Sequence, residues 1–177
     1  MPLVQTVTPE TASGKVAAVY HDIAKTFGRV PNALQLFSAS PALLSQQWQS
    51  MDYYLKHPTL SFPLLATIRM LVSQENKCHY CIGMNGSLLI HMAQWTVDQV
   101  NATKRDPVAA PLPPKEKAML AFVLKAVAER KSVTRGEIEE LKKLEWTESD
   151  VFDAVAHGAR NVAADIVFNT FQIENDF

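Results

Sequence analysis

Cysteine is scarce in this sequence, and both copies lie close together. The 177 residues contain two cysteines, Cys78 and Cys81, separated by two positions. A disulfide scaffold of the kind that staples small secreted domains is therefore excluded. A chain of this length is most simply a single domain, residues 1–177, which buries roughly 70% of its unfolded surface in one core. Such a core requires no cross-links.

An excess of charge of either sign is also missing. Lys and Arg number 17 against 18 Asp and Glu, for a formal net charge of -1. Proteins that bind nucleic acid or anionic membranes need a basic excess or patch, so neither partner is expected. No apolar run approaches the ~18 residues of a membrane span. The start, MPLVQTVTPE, lacks the basic and apolar regions of a signal peptide, so we expect a cytoplasmic, bacterial protein.

Alternation of apolar and polar residues, which would indicate β-strands, is absent, whereas helical spacing of apolar residues recurs along the chain. We therefore predict an all-α protein. Between the helices, residues 106–114 contain four prolines and indicate a stiff loop. The main helices are predicted over Thr8–Phe27, from Pro41 to before Pro58, from Ser61 toward Cys78, over Cys78–Met92, after Thr96, over Lys115–Arg130, after Thr134 and after Thr147.

The cysteine pair is the first candidate for chemistry. On a helix, Cys78 and Cys81 share a face, and Asn85 lies one turn further along it. A cysteine at a helix N-terminus faces unpaired amides and the positive end of the macrodipole, which favour thiolate over thiol. A second thiol nearby can resolve a sulfenic acid or mixed disulfide by closing a disulfide. This spacing therefore suits a redox pair.

Two other uses of the pair remain open from the residues alone. Both cysteines can serve as small apolar side chains in a packed core. A zinc site would need two further ligands, and none of the five histidines repeats the paired spacing of structural zinc modules. A thioredoxin-like setting is excluded because the chain has no βαβ pattern. In a reducing cytosol we favour redox use, and we expect neither a metal nor a cofactor.

The segment IRMLVSQENKCHYCIGMNG, residues 68–86, resembles the carboxymuconolactone decarboxylase and alkylhydroperoxidase D-like family, in particular its peroxidase-related branch. The stretch Gly28-Arg-Val-Pro-Asn32 followed by Ser40-Pro41 is similar to the family's N-terminal pattern. The resemblance implies a single-domain helical bundle that forms a homo-oligomer, commonly a trimer or hexamer. It also implies reduction of a peroxide or disulfide substrate through the cysteine pair, with an external thiol reductant.

The sequence departs from the family's proton relay. Active peroxidases of the family carry Glu twelve positions before the first cysteine and His four positions after the second, where this chain has Ala66 and Asn85. The resemblance then implies that Cys81 attacks and Cys78 resolves.

Without the relay, we expect thiolate formation to depend on the helix dipole and on nearby polar side chains. Asn85, His79 and Tyr80 are the candidates for tuning the pair. The alternative is a catalytically degenerate, homo-oligomeric binding or scaffold protein with vestigial cysteines. Lactone decarboxylation has less support, because that branch does not depend on the pair.

Overall fold

The structure, a computed structural model, describes residues 2–129 and 131–177, and within them it contains helices and no strand. The all-α prediction is therefore confirmed. In chain order the helices are α1 Gly14–Phe27, α2 Asn32–Phe37, α3 Pro41–Leu55, α4 Phe62–Glu75, α5 His79–His91, α6 Val97–Arg105, α7 Pro114–Ala128, α8 Arg135–Lys143 and α9 Glu148–Thr170, with a short 3₁₀ turn at Pro107–Ala109.

The helix starts follow the capping signals in the sequence. The Ser61 hydroxyl accepts a hydrogen bond from the Leu64 amide at 3.2 Å and caps α4. Thr96 and Thr134 form reciprocal capping boxes with Gln99 and Glu137, which open α6 and α8. These side chains satisfy backbone amides that have no partner within the helix. The caps explain why these boundaries could be predicted.

The first helix begins later than the sequence predicts. A helix from Thr8 was expected, but the chain turns at Thr8–Thr11, where the Thr11 amide donates to the Thr8 carbonyl, and α1 begins at Gly14. Threonine hydroxyls compete for local backbone groups and favour such turns. The helix predicted over Lys115–Arg130 is observed as Pro114–Ala128, and Arg130 lies outside the described residues.

The chain divides into two compact units, Met1–His57 with Val167–Phe177, and Pro58–Ile166. The first unit has an apolar core, in which the rings of Phe27 and Trp48 pack edge to face with their centroids 6.1 Å apart. The buried residues of this core are Val16, Tyr20, Ile23, Val30, Leu34, Leu44 and Trp48. The prediction of one domain over residues 1–177 stays a prediction, to be tested by whether the chain unfolds in a single cooperative transition.

The second unit contains α4 to α8 and most of α9. Helix α4 is almost completely buried, from Leu64 to Ser73 apart from Arg69. Helix α9 approaches it closely at Gly158, where a Cβ atom would lie 3.6 Å from Ile68 and 3.0 Å from Val123 of α7. This unit positions the cysteine pair. No helix in the described part of the chain is long and apolar enough to span a membrane.

Candidate active site at the cysteine pair

A tight turn between α4 and α5 places Cys78 at the start of a helix. Helix α4 ends at Glu75, and Lys77 adopts the left-handed conformation with φ of 54°. The Cys78 amide then donates to the Ser73 carbonyl at 3.0 Å, which fixes the turn against the end of α4. Cys78 has extended dihedrals and is the N-cap of α5. The predicted location of Cys78 at a helix N-terminus is confirmed.

The two thiols are free, buried and in contact with each other. Cys78 is 0% exposed and Cys81 is 4% exposed. Hydrogen bonds from the Cys81 thiol and the Cys81 backbone amide to the Cys78 sulfur lower the pKa of Cys78. The same thiol hydrogen bond, together with burial, raises the pKa of Cys81, because the donor keeps its proton. The pKa of Cys78 is therefore lower than that of Cys81, the reverse of the order that the resemblance implies.

A buried carboxylate completes the cluster. The ligand atoms of Cys78, Cys81 and Asp165 all lie within 4.8 Å of one another. Asp165 belongs to α9 and is 0% exposed. Burial raises the pKa of Asp165, against the lowering effect of hydrogen bonds from Cys81, Ser73 and Asn76. The carboxylate is therefore a stronger proton acceptor than one in water.

Three polar side chains hold Asp165 in place. The Ser73 hydroxyl donates to Oδ1 at 2.8 Å, and the Asn76 and Asn161 amides donate to Oδ2, each at 3.1 Å. Asn161 also donates to the Ser73 hydroxyl at 2.8 Å, so the two supports are joined to each other. Such a connected network restricts a buried carboxylate to one position.

These contacts belong to a polar seam between two helices that run in the same direction. Leu65, Arg69 and Ser73 of α4 are paired with His157, Asn161 and Asp165 of α9, one turn apart on each helix. Residues four apart share one helix face, so each helix contributes one line of groups. The seam lies within the buried face of α4 and leads to the thiols at its end.

The side chain of Arg69 makes further polar contacts beside this seam. Its Nε donates to Asn85 Oδ1 at 2.6 Å, and its Nη1 lies 3.3 Å from His157 Nε2. The same His157 nitrogen lies 3.2 Å from the Leu65 carbonyl, so one tautomer can satisfy only one of the two contacts. Burial lowers the pKa of Arg69 to about 10, and the guanidinium stays protonated at neutral pH.

The residues predicted to tune the pair have different surroundings. Asn85 is buried, and its amide donates to the Cys81 carbonyl at 2.8 Å, so it contacts the backbone of the pair. Tyr80 is also buried, whereas His79 is exposed. Ala66, at the position of the family glutamate, is fully buried in α4. Asp165, more than 80 residues away in sequence, faces the thiols instead.

Four polar residues of the site are not predicted from the sequence, although the sequence carries a signal for them: Asp165, Asn161, Ser73 and Arg69. His157, Asn161 and Asp165 recur every four residues on α9, and Arg69 and Ser73 have the same spacing on α4. Polar side chains that share a helix face with apolar neighbours are expected to be paired when buried. Which residue pairs with which depends on the packing of α4 against α9, and spacing alone does not provide it.

The cluster of Cys78, Cys81 and Asp165 supplies three groups of the type that bind zinc. A structural zinc site uses four protein ligands, and an open site uses three and a water. Both oxygens of Asp165 already accept hydrogen bonds from Ser73, Asn76 or Asn161. We therefore interpret the cluster as a pair of thiols with a carboxylate beside them.

Comparison with solved structures identifies the architecture. The chain superposes on the alkylhydroperoxidase D core of a peroxidase-related protein from Ralstonia eutropha JMP134 with a TM-score of 0.87, at 20% identity, covering 99% of this chain and 92% of that one. It has the alkylhydroperoxidase D-like fold. A peroxidase-related protein from Silicibacter sp. TM1040 superposes on the chain with a TM-score of 0.81, at 19% identity, covering 99% of this chain and 89% of that one.

Other comparisons extend this result. A debrominase, Bmp8, crystallised as a cysteine-to-alanine variant with 2,3,4-tribromopyrrole, aligns with a TM-score of 0.79 and 16% identity over 98% of this chain and 91% of that one. In sequence, an alkyl hydroperoxide reductase of Mycobacterium tuberculosis is 25% identical over 91 residues, or 51% of this chain. The match spans about a quarter of that curated relative, 26% of its length. No protein-family model matches the sequence. The alkylhydroperoxidase D-like fold implied by the resemblance is confirmed.

Proposed function

We propose that the protein is a thiol-dependent oxidoreductase that reduces a peroxide through Cys78 and Cys81. The observation that carries this proposal is the contact between two free thiols at the N-terminus of α5, with hydrogen bonds from Cys81 to the Cys78 sulfur. A thiol with a lowered pKa beside a second thiol is the arrangement needed for attack and resolution. The alkylhydroperoxidase D-like fold supports the same chemistry by analogy.

In this proposal Cys78 attacks and Cys81 resolves. The Cys78 thiolate attacks the terminal peroxide oxygen, the O–O bond breaks, and the leaving alkoxide takes a proton to become an alcohol. The sulfur is oxidised to a sulfenic acid as the peroxide is reduced. Cys81 then displaces the sulfenic oxygen as water and closes the Cys78–Cys81 disulfide. An external dithiol reduces this disulfide and restores both thiols.

The burial of the pair favours small reactants. With Cys78 at 0% and Cys81 at 4% exposure, a protein disulfide cannot align its sulfurs with the thiolate in this conformation. Hydrogen peroxide or a small organic hydroperoxide needs far less space. The same argument applies to the reductant, which we propose is a low-molecular-weight dithiol. Cytoplasmic location, which keeps the thiols reduced between cycles, is part of this proposal.

Steady-state peroxide consumption tests the function. With a small dithiol as reductant, the wild-type protein is expected to consume hydrogen peroxide and an organic hydroperoxide at rates proportional to enzyme concentration. Reduction of a low-molecular-weight disulfide, followed as thiol release, is the second arm. Turnover of the disulfide without turnover of either peroxide would assign the pair to disulfide exchange. A protein that is inactive toward both peroxides and toward the disulfide would favour the alternative, an oligomeric scaffold.

We also propose that the chain assembles as a homo-oligomer, a trimer or hexamer, as the resemblance implies. An apolar groove of about 570 Å³ lies between α7, α8 and α9, and Phe152, which lines it, is 73% exposed. Ile166, further along α9, is 61% exposed. An exposed apolar groove is typical of a surface that a partner covers, and a second copy is the partner proposed here.

Light scattering of the purified protein tests the assembly. The expected mass is three or six times the 19.7 kDa of one chain. Phe152→Asp is expected to shift the population toward the monomer, because a carboxylate in a desolvated interface is costly. Asp98→Asn, on the exposed start of α6, is the control and should leave the mass unchanged. A wild-type mass of a single chain would contradict the proposed assembly.

A further inference from the structure

The Cys81 proton needs a destination when the disulfide closes. In the reduced pair the Cys81 sulfur lies within 4.8 Å of both the Cys78 sulfur and an Asp165 carboxylate oxygen, and its single proton can be donated to either acceptor. Oxidation of Cys78 to a sulfenic acid removes the negative charge from the Cys78 sulfur. Asp165 is then the acceptor that remains in contact with the thiol. The histidine and glutamate expected from the resemblance are absent, with Asn85 and Ala66 in their places.

We propose that Asp165 is the general base of the resolving step, taking the proton from Cys81 as the disulfide closes. This inference rests on the proposed peroxidase function. Ser73, Asn76 and Asn161 are positioning residues, because they contact the carboxylate and hold it beside the two sulfurs. Arg69 is connected to the same network through Asn161, whose amide lies 3.3 Å from the Arg69 carbonyl.

The step balances within the cluster. The Asp165 carboxylate accepts the Cys81 proton, and the new thiolate attacks the Cys78 sulfenic sulfur. The S–S bond forms as the S–O bond breaks, and the departing hydroxide takes the proton from the Asp165 carboxylic acid to leave as water. Asp165 returns to its carboxylate form without an external acid or base. One group therefore serves first as base and then as acid.

The surroundings of Asp165 suit this role. Among the described residues, the titratable groups in contact with it are the thiols of Cys78, the N-cap of α5, and Cys81. Helix α4 and the following turn contribute the neutral Ser73 and Asn76, and α9 itself contributes Asn161. Burial raises the pKa of Asp165, which makes its carboxylate a stronger base toward the Cys81 thiol than a carboxylate in water would be.

The variant Asp165→Asn tests the proposal when its two chemical steps, formation of the sulfenic acid and closure of the disulfide, are measured separately. The Asn side chain has nearly the same size but cannot accept a proton. We expect the Cys78 sulfenic acid, detected by dimedone trapping, to form within about threefold of the wild-type rate. Closure of the disulfide, followed by loss of trapping, is expected to slow by about 10²–10⁴-fold. Asp153→Asn on the same helix is the matched control and should leave both rates unchanged.

The pH dependence of closure separates a base from a structural support. In Asp165→Asn, closure is expected to accelerate about tenfold per pH unit, because hydroxide must remove the Cys81 proton, while the wild-type rate changes little near neutral pH. Wild-type closure kinetics and pH profile in Asp165→Asn would overturn the proposal while leaving the peroxidase function intact. Absence of sulfenic acid in the wild type would instead remove the function itself.

Two further measurements keep the inference testable if Asp165→Asn does not fold. Ser73→Ala removes one hydrogen bond to the carboxylate but keeps the base, so closure should slow less than tenfold with the wild-type pH profile. The wild-type profile alone is also decisive. A wild-type closure rate that rises tenfold per pH unit across neutral pH would show that hydroxide, rather than Asp165, removes the proton.

Discussion

Without a reductant, Cys81→Ser is expected to react once with peroxide and then stop, whereas Cys78→Ser is expected not to react. In Cys81→Ser the Cys78 sulfur keeps its position at the N-terminus of α5 and its hydrogen bond from the backbone amide at position 81. It can therefore form a sulfenic acid, which has no thiol to close onto. Steady-state peroxide consumption should fall to the blank level in Cys78→Ser and below the wild-type rate in Cys81→Ser, where only the external dithiol can reduce the sulfenic acid. Dimedone labelling followed by mass spectrometry distinguishes them, with label only on Cys78.

This experiment also determines the order of the two cysteines. The resemblance implies attack by Cys81, and the electrostatics of the structure favour attack by Cys78. Label on Cys81 in Cys78→Ser, with none on Cys78 in Cys81→Ser, would contradict the order proposed here. Because the chain has no other cysteine, any label is assigned without ambiguity. The double variant Cys78→Ser/Cys81→Ser is the control for labelling outside the pair.

Arg69→Met is expected to lower the free energy of unfolding by about 2–4 kcal/mol. Methionine replaces the apolar stem of the side chain but provides no donor for Asn85 Oδ1, which accepts from Arg69 Nε at 2.6 Å. A buried carbonyl oxygen without a donor loses the hydrogen bond that it makes with water in the unfolded chain. Urea denaturation of the reduced protein measures the change.

Two variants serve as controls for Arg69→Met. Arg160→Met changes an exposed arginine on α9 and is expected to alter stability by less than about 0.5 kcal/mol. Adding Asn85→Leu to Arg69→Met removes both partners, so the double variant should recover part of the loss. Equal stability of Arg69→Met and Arg160→Met would show that the hydrogen bond from Arg69 to Asn85 does not stabilise the fold.

The sequence allowed much of the fold to be predicted because helix signals are local. Ser61, Thr96 and Thr134 determine helix starts through contacts within one turn, and each was confirmed. The predicted start of α1 was wrong. Thr8 can either cap a helix or close a turn, because its hydroxyl can bond to local backbone groups in both conformations. Cys78 also lies at a helix N-terminus, as predicted, although its side chain forms no capping hydrogen bond.

The part of the candidate site that could not be predicted depends on contacts distant in sequence. Asp165 reaches the thiols because α9 packs against α4, and no local pattern specifies that pairing. The resemblance directed attention to Ala66 and Asn85, the positions where a proton acceptor is missing. In the folded chain another helix supplies a carboxylate to the same pair of sulfurs. Polar residues at helical spacing on a buried face are therefore candidates for site residues, as the positions of a known motif are.

The most direct test of the account is the state of the thiols after one equivalent of hydrogen peroxide, added to the reduced wild-type protein without a reductant. We expect both free thiols to disappear together and the intact mass to fall by two hydrogen atoms, with a peptide linking Cys78 to Cys81. A small dithiol should then restore both thiols. Two thiols that persist after peroxide treatment, or oxygen added to one cysteine without a disulfide, would contradict the account.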